Sequence, residues 1–87
     1  MRIAMIGTGY VGLVSGACFS EFGIDVTCVD QDVNKVKRLQ SGDVPIFEPG
    51  LEDMVVANMK ADRLHFTTDL AIAVHGVDAV LIAVGTP

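Results

Sequence analysis

The chain has 87 residues, of which 51% are hydrophobic, and its 11 acidic and 6 basic residues give a formal net charge of −5. This length is that of one small domain or part of a larger one, and the hydrophobic content excludes a disordered chain. The acidic balance, without a cluster of Lys or Arg, argues against nucleic acid as a partner. Because no apolar stretch approaches the roughly 20 residues of a membrane span and the first residues lack signal-peptide features, we expect a cytoplasmic protein without membrane contact.

The first element is a short apolar run over residues 2–6, followed by three glycines in the spacing G-x-G-x-x-G. An apolar run of this length predicts a strand buried on both faces of a parallel sheet. In such a motif Gly7 permits a tight turn, Gly9 lets a pyrophosphate approach the backbone, and Gly12 lets a helix pack closely on the strand. The spacing alone is a weak signal, but the strand before it and the helix after it strengthen the prediction.

A helix is predicted over residues 10–22, directly after the glycine turn. The first N–H groups of a helix have no partner within it, and they lie at its positive dipole end. The start of this helix, at Tyr10 and Val11, is therefore predicted to bind an anion, typically the phosphates of a dinucleotide.

A second strand is predicted over residues 26–29, closed by Asp30 and followed by a polar helix over residues 33–41. Asp30 follows Gly12 by 18 residues, close to the spacing expected of the acid that binds the adenosine ribose. Its carboxylate would accept hydrogen bonds from the ribose hydroxyls and repel a 2′-phosphate. Since Gln31, not Arg, comes next, NAD is favoured over NADP. Capping of the following helix is the alternative role for Asp30.

The remaining chain continues the alternation of strands and helices. The predicted elements are an extended loop over 43–50, a helix over 51–60, a strand over 64–67, a short helix from Thr68 or Asp69 to Val74, and a buried apolar strand over 79–84. The fold class is thus α/β: a partial Rossmann fold with a parallel sheet of about four strands in the order 3-2-1-4. Carboxyl ends of parallel strands share one edge, so residues 7–12, Asp30 and the end of the chain at Gly85 and Thr86 are predicted to converge.

No combination of side chains predicts a catalytic or metal site. The cysteines lie in apolar company and are expected to be buried free thiols, and each histidine lacks acids or thiols at useful spacing. The side chains interpreted as structural rather than reactive are those of Cys18, Cys28, His65, His75, Tyr10 and Phe47.

Four stretches together resemble the amino-terminal part of the UDP-glucose/GDP-mannose dehydrogenase family. They are residues 1–12, Val29 with Asp30, residues 45–51 and residues 84–87. Residues 45–51 and residues 84–87 are far more specific for this family than the glycine motif is. The resemblance covers the whole chain, in the expected order.

The resemblance implies a four-electron oxidation of a nucleotide sugar at C6, from alcohol to carboxylate, with two NAD per turnover. UDP-glucose is the favoured sugar, and GDP-mannose and a UDP-N-acetylhexosamine are the alternatives. It also implies that Val11, Asp30 and Lys35 contact the adenosine side of NAD and that Thr86 contacts its middle. The reacting cysteine of the family belongs to a later part of the protein, and the full-length enzyme is expected to be a homo-oligomer.

The resemblance further implies that these residues form one portion of an NAD-binding domain, without the second half or the later domains. Such a portion would expose the edge of its last strand and bind NAD weakly at most. Two other functions share the early motifs: a nucleotide-sensing regulatory domain of a transporter, and another NAD(P) dehydrogenase acting on a hydroxyacyl-CoA or phosphogluconate. The loop over residues 45–51 has no role in the sensor.

Overall fold

The computed structural model describes residues 1–84, which form four strands and four helices. In chain order the elements are β1 (Arg2–Ile6), α1 (Tyr10–Glu21), β2 (Asp25–Val29), α2 (Val33–Gln40), α3 (Leu51–Lys60), β3 (Leu64–Thr67), α4 (Leu70–Val74) and β4 (Ala79–Ile82). All strand pairs are parallel and the sheet order is β3-β2-β1-β4. The predicted α/β class and the order 3-2-1-4 are confirmed. None of the helices in residues 1–84 is long and apolar enough to cross a membrane.

The main core lies between the sheet and the helices α1, α2 and α3. Leu13 and Ala17 on α1 are fully buried, as are Val26 and Cys28 on β2. Close packing here depends on Gly16, because a Cβ at that position would lie 2.9 Å from the Cys28 sulfur. The α1 helix is thereby held directly on the sheet, which fixes where its first turn points.

A smaller cluster covers the other face of the sheet, where Ala4 and Val29 pack against Ala73 of α4. The predicted start of this helix is confirmed, since the Asp69 side chain accepts a hydrogen bond from the Ile72 amide at 3.1 Å. The α4 helix has only 5 residues, so it covers a limited part of this face.

The last strand differs from its prediction in both length and burial. β4 ends at Ile82, and Val80, Leu81 and Ile82 are exposed to 46%, 37% and 75%. Within residues 1–84, β4 pairs with β1 on one side and lies at the edge of the sheet. The apolar sequence of this strand indicates that another element packs over it, but the sequence does not identify that element. The prediction of a strand buried on both faces is therefore wrong for the described residues.

Three further apolar side chains are more exposed than an apolar sequence pattern suggests. On α2, Val33, Val36 and Leu39 are spaced three apart along one side of the helix, but Val33 is 51% exposed while the other two are buried. Cys28 is buried, whereas Cys18 is only partly so, and both are free thiols. Phe47, predicted to pack, is fully exposed in the loop between α2 and α3.

Candidate cofactor site

The glycine turn follows β1 at the carboxyl edge of the sheet. Gly7 has a φ of +106°, in the region that side chains disfavour, and its amide donates to the Val29 carbonyl at 2.7 Å. A Cβ here would also lie 2.9 Å from the Ala83 carbonyl oxygen. The tight turn predicted at Gly7 is confirmed.

The other two glycines of the motif differ in what surrounds them. A Cβ at Gly12 would lie 2.1 Å from the Gly7 carbonyl oxygen, so only glycine allows α1 to pack this closely on the turn. A Cβ at Gly9 would meet no atom within 4 Å. Gly12 is therefore needed by the fold, while Gly9 faces open space where a ligand could approach the backbone.

The amino terminus of α1 lies beside this open space. Its N-cap is Gly9, which offers no side chain to the free N–H groups, and the first turn contains no acidic residue. Tyr10 and Val11 are 56% and 65% exposed. The exposed helix end thus presents N–H donors and a partial positive charge, the arrangement that binds phosphate oxygens.

Asp30 lies next to this helix end, immediately after β2. Its Oδ2 accepts hydrogen bonds from the Thr8 hydroxyl at 2.6 Å and the Thr8 amide at 3.2 Å, and its Oδ1 accepts one from the Asp32 amide at 3.0 Å. The structure thereby joins the glycine turn to the end of β2, as predicted from the shared sheet edge. The contact arises because β1 and β2 are in register, with Ile6 opposite Val29.

The environment of Asp30 favours the charged carboxylate. Partial burial raises its pKa, but the hydrogen bonds from the Thr8 hydroxyl and from the Asp32 and Thr8 amides, with the nearby charge of Lys35, outweigh that effect. The pKa of Asp30 is therefore held below its usual value. At neutral pH this carboxylate is an acceptor only, which is the form needed to bind hydroxyl donors.

Lys35 approaches the same carboxylate from the first turns of α2, with Nζ 3.6 Å from Asp30 Oδ2. The helix starts here because Asp32 is its N-cap and accepts from the Asn34 and Lys35 amides at 3.0 and 3.1 Å. Capping, the alternative role considered for Asp30, is thus performed by Asp32. Lys35 is where the family resemblance implies an adenosine-side contact.

A cavity of about 480 Å³ lies at this edge of the sheet and includes Gly7 and Asp30 in its lining. Apolar side chains of Ile6, Val29 and Leu70 line it as well. A nucleoside needs both kinds of surface, an apolar wall for its base and a polar acceptor for its sugar. Together with the open space at Gly9, the cavity fits the adenosine and phosphates of a dinucleotide.

The loop before α3 also reaches the amino terminus of α1, a contact that the sequence did not predict. The Tyr10 hydroxyl donates to Glu48 Oε2 at 3.2 Å. This hydrogen bond and the negative charge of Glu48 raise the pKa of Tyr10. The Tyr10 side chain is therefore exposed and tied to the loop, and its interpretation as a packing residue is wrong.

His65 lies away from this edge, at the start of β3. His65, predicted to be isolated from acids, has Nε2 3.3 Å from Asp25 Oδ1 and Nδ1 3.8 Å from Asp62 Oδ1. The pairing of β2 with β3 brings His65 to Asp25, so their distant positions in the chain did not reveal this contact. Asp62 is three residues before His65 in the sequence, and the prediction overlooked it. The predicted cofactor residues Gly85 and Thr86 lie outside the described residues.

The sheet order, the glycine turn and the acid after β2 define a dinucleotide-binding domain of the Rossmann type. Comparison with known proteins makes the assignment more specific. The family described as "UDP-glucose/GDP-mannose dehydrogenase family, NAD binding domain" matches residues 1–87. The chain belongs to this family, and NAD is the cofactor of the matched domain.

The relatives include dehydrogenases of more than one nucleotide sugar. A UDP-glucose 6-dehydrogenase of Rhizobium meliloti is 59% identical over 87 residues, covering 100% of this chain and 20% of that protein. A GDP-mannose dehydrogenase from Pseudomonas aeruginosa, solved as a ternary complex, has a TM-score of 0.95 and 42% identity and covers 100% of this chain and 20% of its own. The UDP-glucose dehydrogenase structure from Pyrobaculum islandicum has a TM-score of 0.92 and 38% identity, over 99% of this chain and 20% of that one. The chain thus spans about one fifth of the length of these relatives.

Proposed function

We propose that these residues bind the adenosine and pyrophosphate half of NAD at the carboxyl edge of the sheet. The pyrophosphate lies against Gly9 and accepts hydrogen bonds from the first amides of α1, at Tyr10 and Val11. The Asp30 carboxylate accepts from the adenosine ribose. Gly7 and Gly12 act through the backbone, one by turning the chain and the other by bringing α1 close.

The observation that carries this proposal is the position of a charged Asp30 beside an uncapped helix start. The helix end attracts phosphate, while the carboxylate at the end of β2 accepts from hydroxyls and repels a third phosphate group. A ligand with two phosphates and a free ribose satisfies both, which is the chemistry of NAD rather than NADP. The Lys35 ammonium beside Asp30 supports a further contact with the same sugar.

We extend the proposal to Gly85 and Thr86 on the family resemblance alone, as contacts toward the middle of NAD. We also propose, on the same basis, that the chain is the amino-terminal portion of a longer cytoplasmic enzyme that acts as a homo-oligomer. The relatives, of which it spans about one fifth, support the greater length.

The activity we propose for the longer protein is oxidation of UDP-glucose to UDP-glucuronate with two NAD. The support is the identity with UDP-glucose 6-dehydrogenases, 59% and 54% in relatives from Rhizobium meliloti and Bacillus subtilis. GDP-mannose is the second candidate, because GDP-mannose 6-dehydrogenases of Pseudomonas are 42% identical. Family membership argues against the transporter-sensor alternative.

We propose that the reacting cysteine of this chemistry is not Cys28. Burial raises the pKa of the Cys28 thiol to about 12, so the nucleophilic thiolate is scarce at neutral pH, and the side chain is enclosed between α1 and the sheet. The family resemblance places the reacting cysteine in a later part of the longer protein, and we propose the same position here.

Isothermal titration calorimetry with NAD and NADP tests the binding proposal. Asp30→Asn should weaken NAD binding at least about tenfold, because an amide replaces a charged acceptor, and should narrow the preference for NAD over NADP. Asp53→Asn is the matched control, since Asp53 is an exposed acid in the first turn of α3. Equal affinity of the wild type and Asp30→Asn for NAD, with both chains folded by circular dichroism, would refute the role of Asp30.

The activity requires the longer protein that carries these residues at its amino terminus. We expect NADH formation with UDP-glucose in the amount of two per sugar, and slower formation with GDP-mannose. Faster NADH formation with GDP-mannose would refute UDP-glucose as the substrate and would leave the proposed NAD site unaffected.

A further inference from the structure

Thr8, between the first two glycines of the motif, has no role in the argument from glycine spacing. It is fully buried at 0% exposure, although its side chain is polar. Its hydroxyl donates to Asp30 Oδ2 at 2.6 Å, and its own amide donates to the same oxygen at 3.2 Å. A buried hydroxyl in a short, charge-assisted hydrogen bond is a specific contact and not a filler of space.

The hydrogen bonds around Asp30 leave it one acceptor position. A carboxylate has about four lone-pair positions, and Thr8 uses two of them on Oδ2 while the Asp32 amide uses one on Oδ1. The position that remains is on Oδ1. Because Thr8 holds Oδ2 at two points, the carboxylate is not free to rotate and exchange its oxygens.

We propose that Thr8 is a positioning residue for Asp30: its hydroxyl holds Oδ2 so that Oδ1 is presented to the adenosine ribose as a charged acceptor of fixed direction. This inference rests on the proposed binding of NAD at Asp30. It assigns to a non-glycine position of the motif a part in ribose recognition and in the preference for NAD. A side chain without a hydroxyl at this position would leave the carboxylate held only by the amides of Thr8 and Asp32, and therefore less firmly oriented and easier to protonate.

The Thr8 hydroxyl can be removed without changing any charged side chain near Asp30. Lys35 of α2 lies 3.6 Å from Oδ2. The Asp32 carboxylate is occupied with the Asn34 and Lys35 amides, and the Asp69 carboxylate with the Ile72 amide of α4. Removal of the Thr8 hydroxyl removes one of the contacts that lower the pKa of Asp30 and leaves these charges in place.

The test compares NAD affinity as a function of pH for the wild type, Thr8→Val and Thr8→Ser. Valine keeps the shape of threonine without its hydroxyl, so we expect NAD binding to weaken about tenfold at neutral pH. As the pH falls, NAD binding should decline at a higher pH in Thr8→Val than in the wild type, because the Asp30 carboxylate protonates earlier. Serine restores the hydroxyl and should return both the affinity and the pH profile toward those of the wild type.

Thr27→Val is the matched control, since Thr27 is a half-buried residue of β2 on the face that carries Asp25 and His65. It should bind NAD as the wild type does. If Thr8→Val does not fold, Thr8→Ser and an NMR titration of the Asp30 carboxyl in the wild type replace it. The proposal is overturned if Thr8→Ser binds NAD as weakly as Asp30→Asn does, or if the pKa of Asp30 lies at its usual value.

The outcomes separate this inference from the proposed function. A wild-type chain that does not bind NAD, or whose binding is unchanged by Asp30→Asn, refutes the proposed site itself. A wild type that needs Asp30 but binds NAD equally well with Val at position 8, and with the same pH profile, refutes only the role of Thr8.

Discussion

The two edges of β1 carry strands of similar apolar character but very different burial. On one side β2 buries Val26 and Cys28 completely beneath α1. On the other side β4 leaves Leu81 and Ile82 exposed to 37% and 75%. An apolar sequence thus indicates that a strand packs against another element, without identifying that element. For β2 the element is α1, through its glycine-rich face. Within residues 1–84 no helix packs over β4 to the same extent.

The same comparison separates two kinds of exposed surface. At the start of α1 the exposed surface includes the backbone of Gly9, next to the charged Asp30, together with the side chains of Tyr10 and Val11. Along β4 the exposed surface includes the apolar side chains of Val80 and Ile82. The first surface suits a soluble anionic ligand, and the second suits an apolar partner.

The largest expected effect comes from breaking the contact of α1 with the glycine turn. Gly12→Ala would place a Cβ 2.1 Å from the Gly7 carbonyl oxygen, which is backbone and cannot move aside like a flexible side chain. We expect a loss of more than about 3 kcal/mol in the free energy of unfolding. Urea denaturation followed by circular dichroism measures it, and a stability equal to that of the wild type would contradict the packing described here.

A pair of truncations compares the two edges directly. Leu13 is fully buried under α1, so Leu13→Ala should destabilise the chain by about 3 kcal/mol, while Ile82→Ala at the exposed edge should change stability by less than about 0.5 kcal/mol. Both variants are measured by urea denaturation. Similar losses for the two would show that β4 is covered in solution.

Gly9→Ala tests whether Gly9 is needed for ligand binding and not for folding. The added Cβ meets no atom within 4 Å and the φ of Gly9 is −71°, so stability should change by less than about 1 kcal/mol. NAD affinity should fall about tenfold, because the methyl group occupies the space left for the pyrophosphate. Calorimetry gives the affinity, and unaltered NAD binding would place the phosphates elsewhere.

The smallest effect concerns pH and Asp30. Its folded pKa is lowered, so its contribution to stability is present above the ordinary carboxyl pKa of about 3.9 and is lost as the pH falls through the folded value. Wild type should therefore exceed Asp30→Asn in stability by less than about 1 kcal/mol at neutral pH, and the difference should vanish in acid. Denaturation at a series of pH values measures it; a difference that grows in acid would have the wrong sign.

Much of the fold could be predicted from local patterns. Glycine spacing predicts the turn and the start of α1, and short apolar or alternating segments predict β1, β2 and β3, because each feature is set by residues close in sequence. The strand order then follows from the handedness of the crossovers. This strand order was sufficient to predict that Gly7 and Asp30 lie close together.

Contacts across the sheet or between loops could not be predicted in the same way. The approach of His65 to Asp25 depends on strand register, and the hydrogen bond from Tyr10 to Glu48 depends on the path of a loop 38 residues later. The contact between Thr8 and Asp30 could have been predicted, because both residues lie just beyond the ends of paired, in-register strands and a hydroxyl readily donates to a carboxylate.

Amide NMR of the chain during titration with NAD tests the central claim most directly. We expect the largest shifts at Gly9, Tyr10, Val11 and Asp30, on the carboxyl edge, and none at Asp25 on the opposite edge. Shifts concentrated near Asp25 and His65, with Gly9 and Asp30 unchanged, would contradict the proposed site.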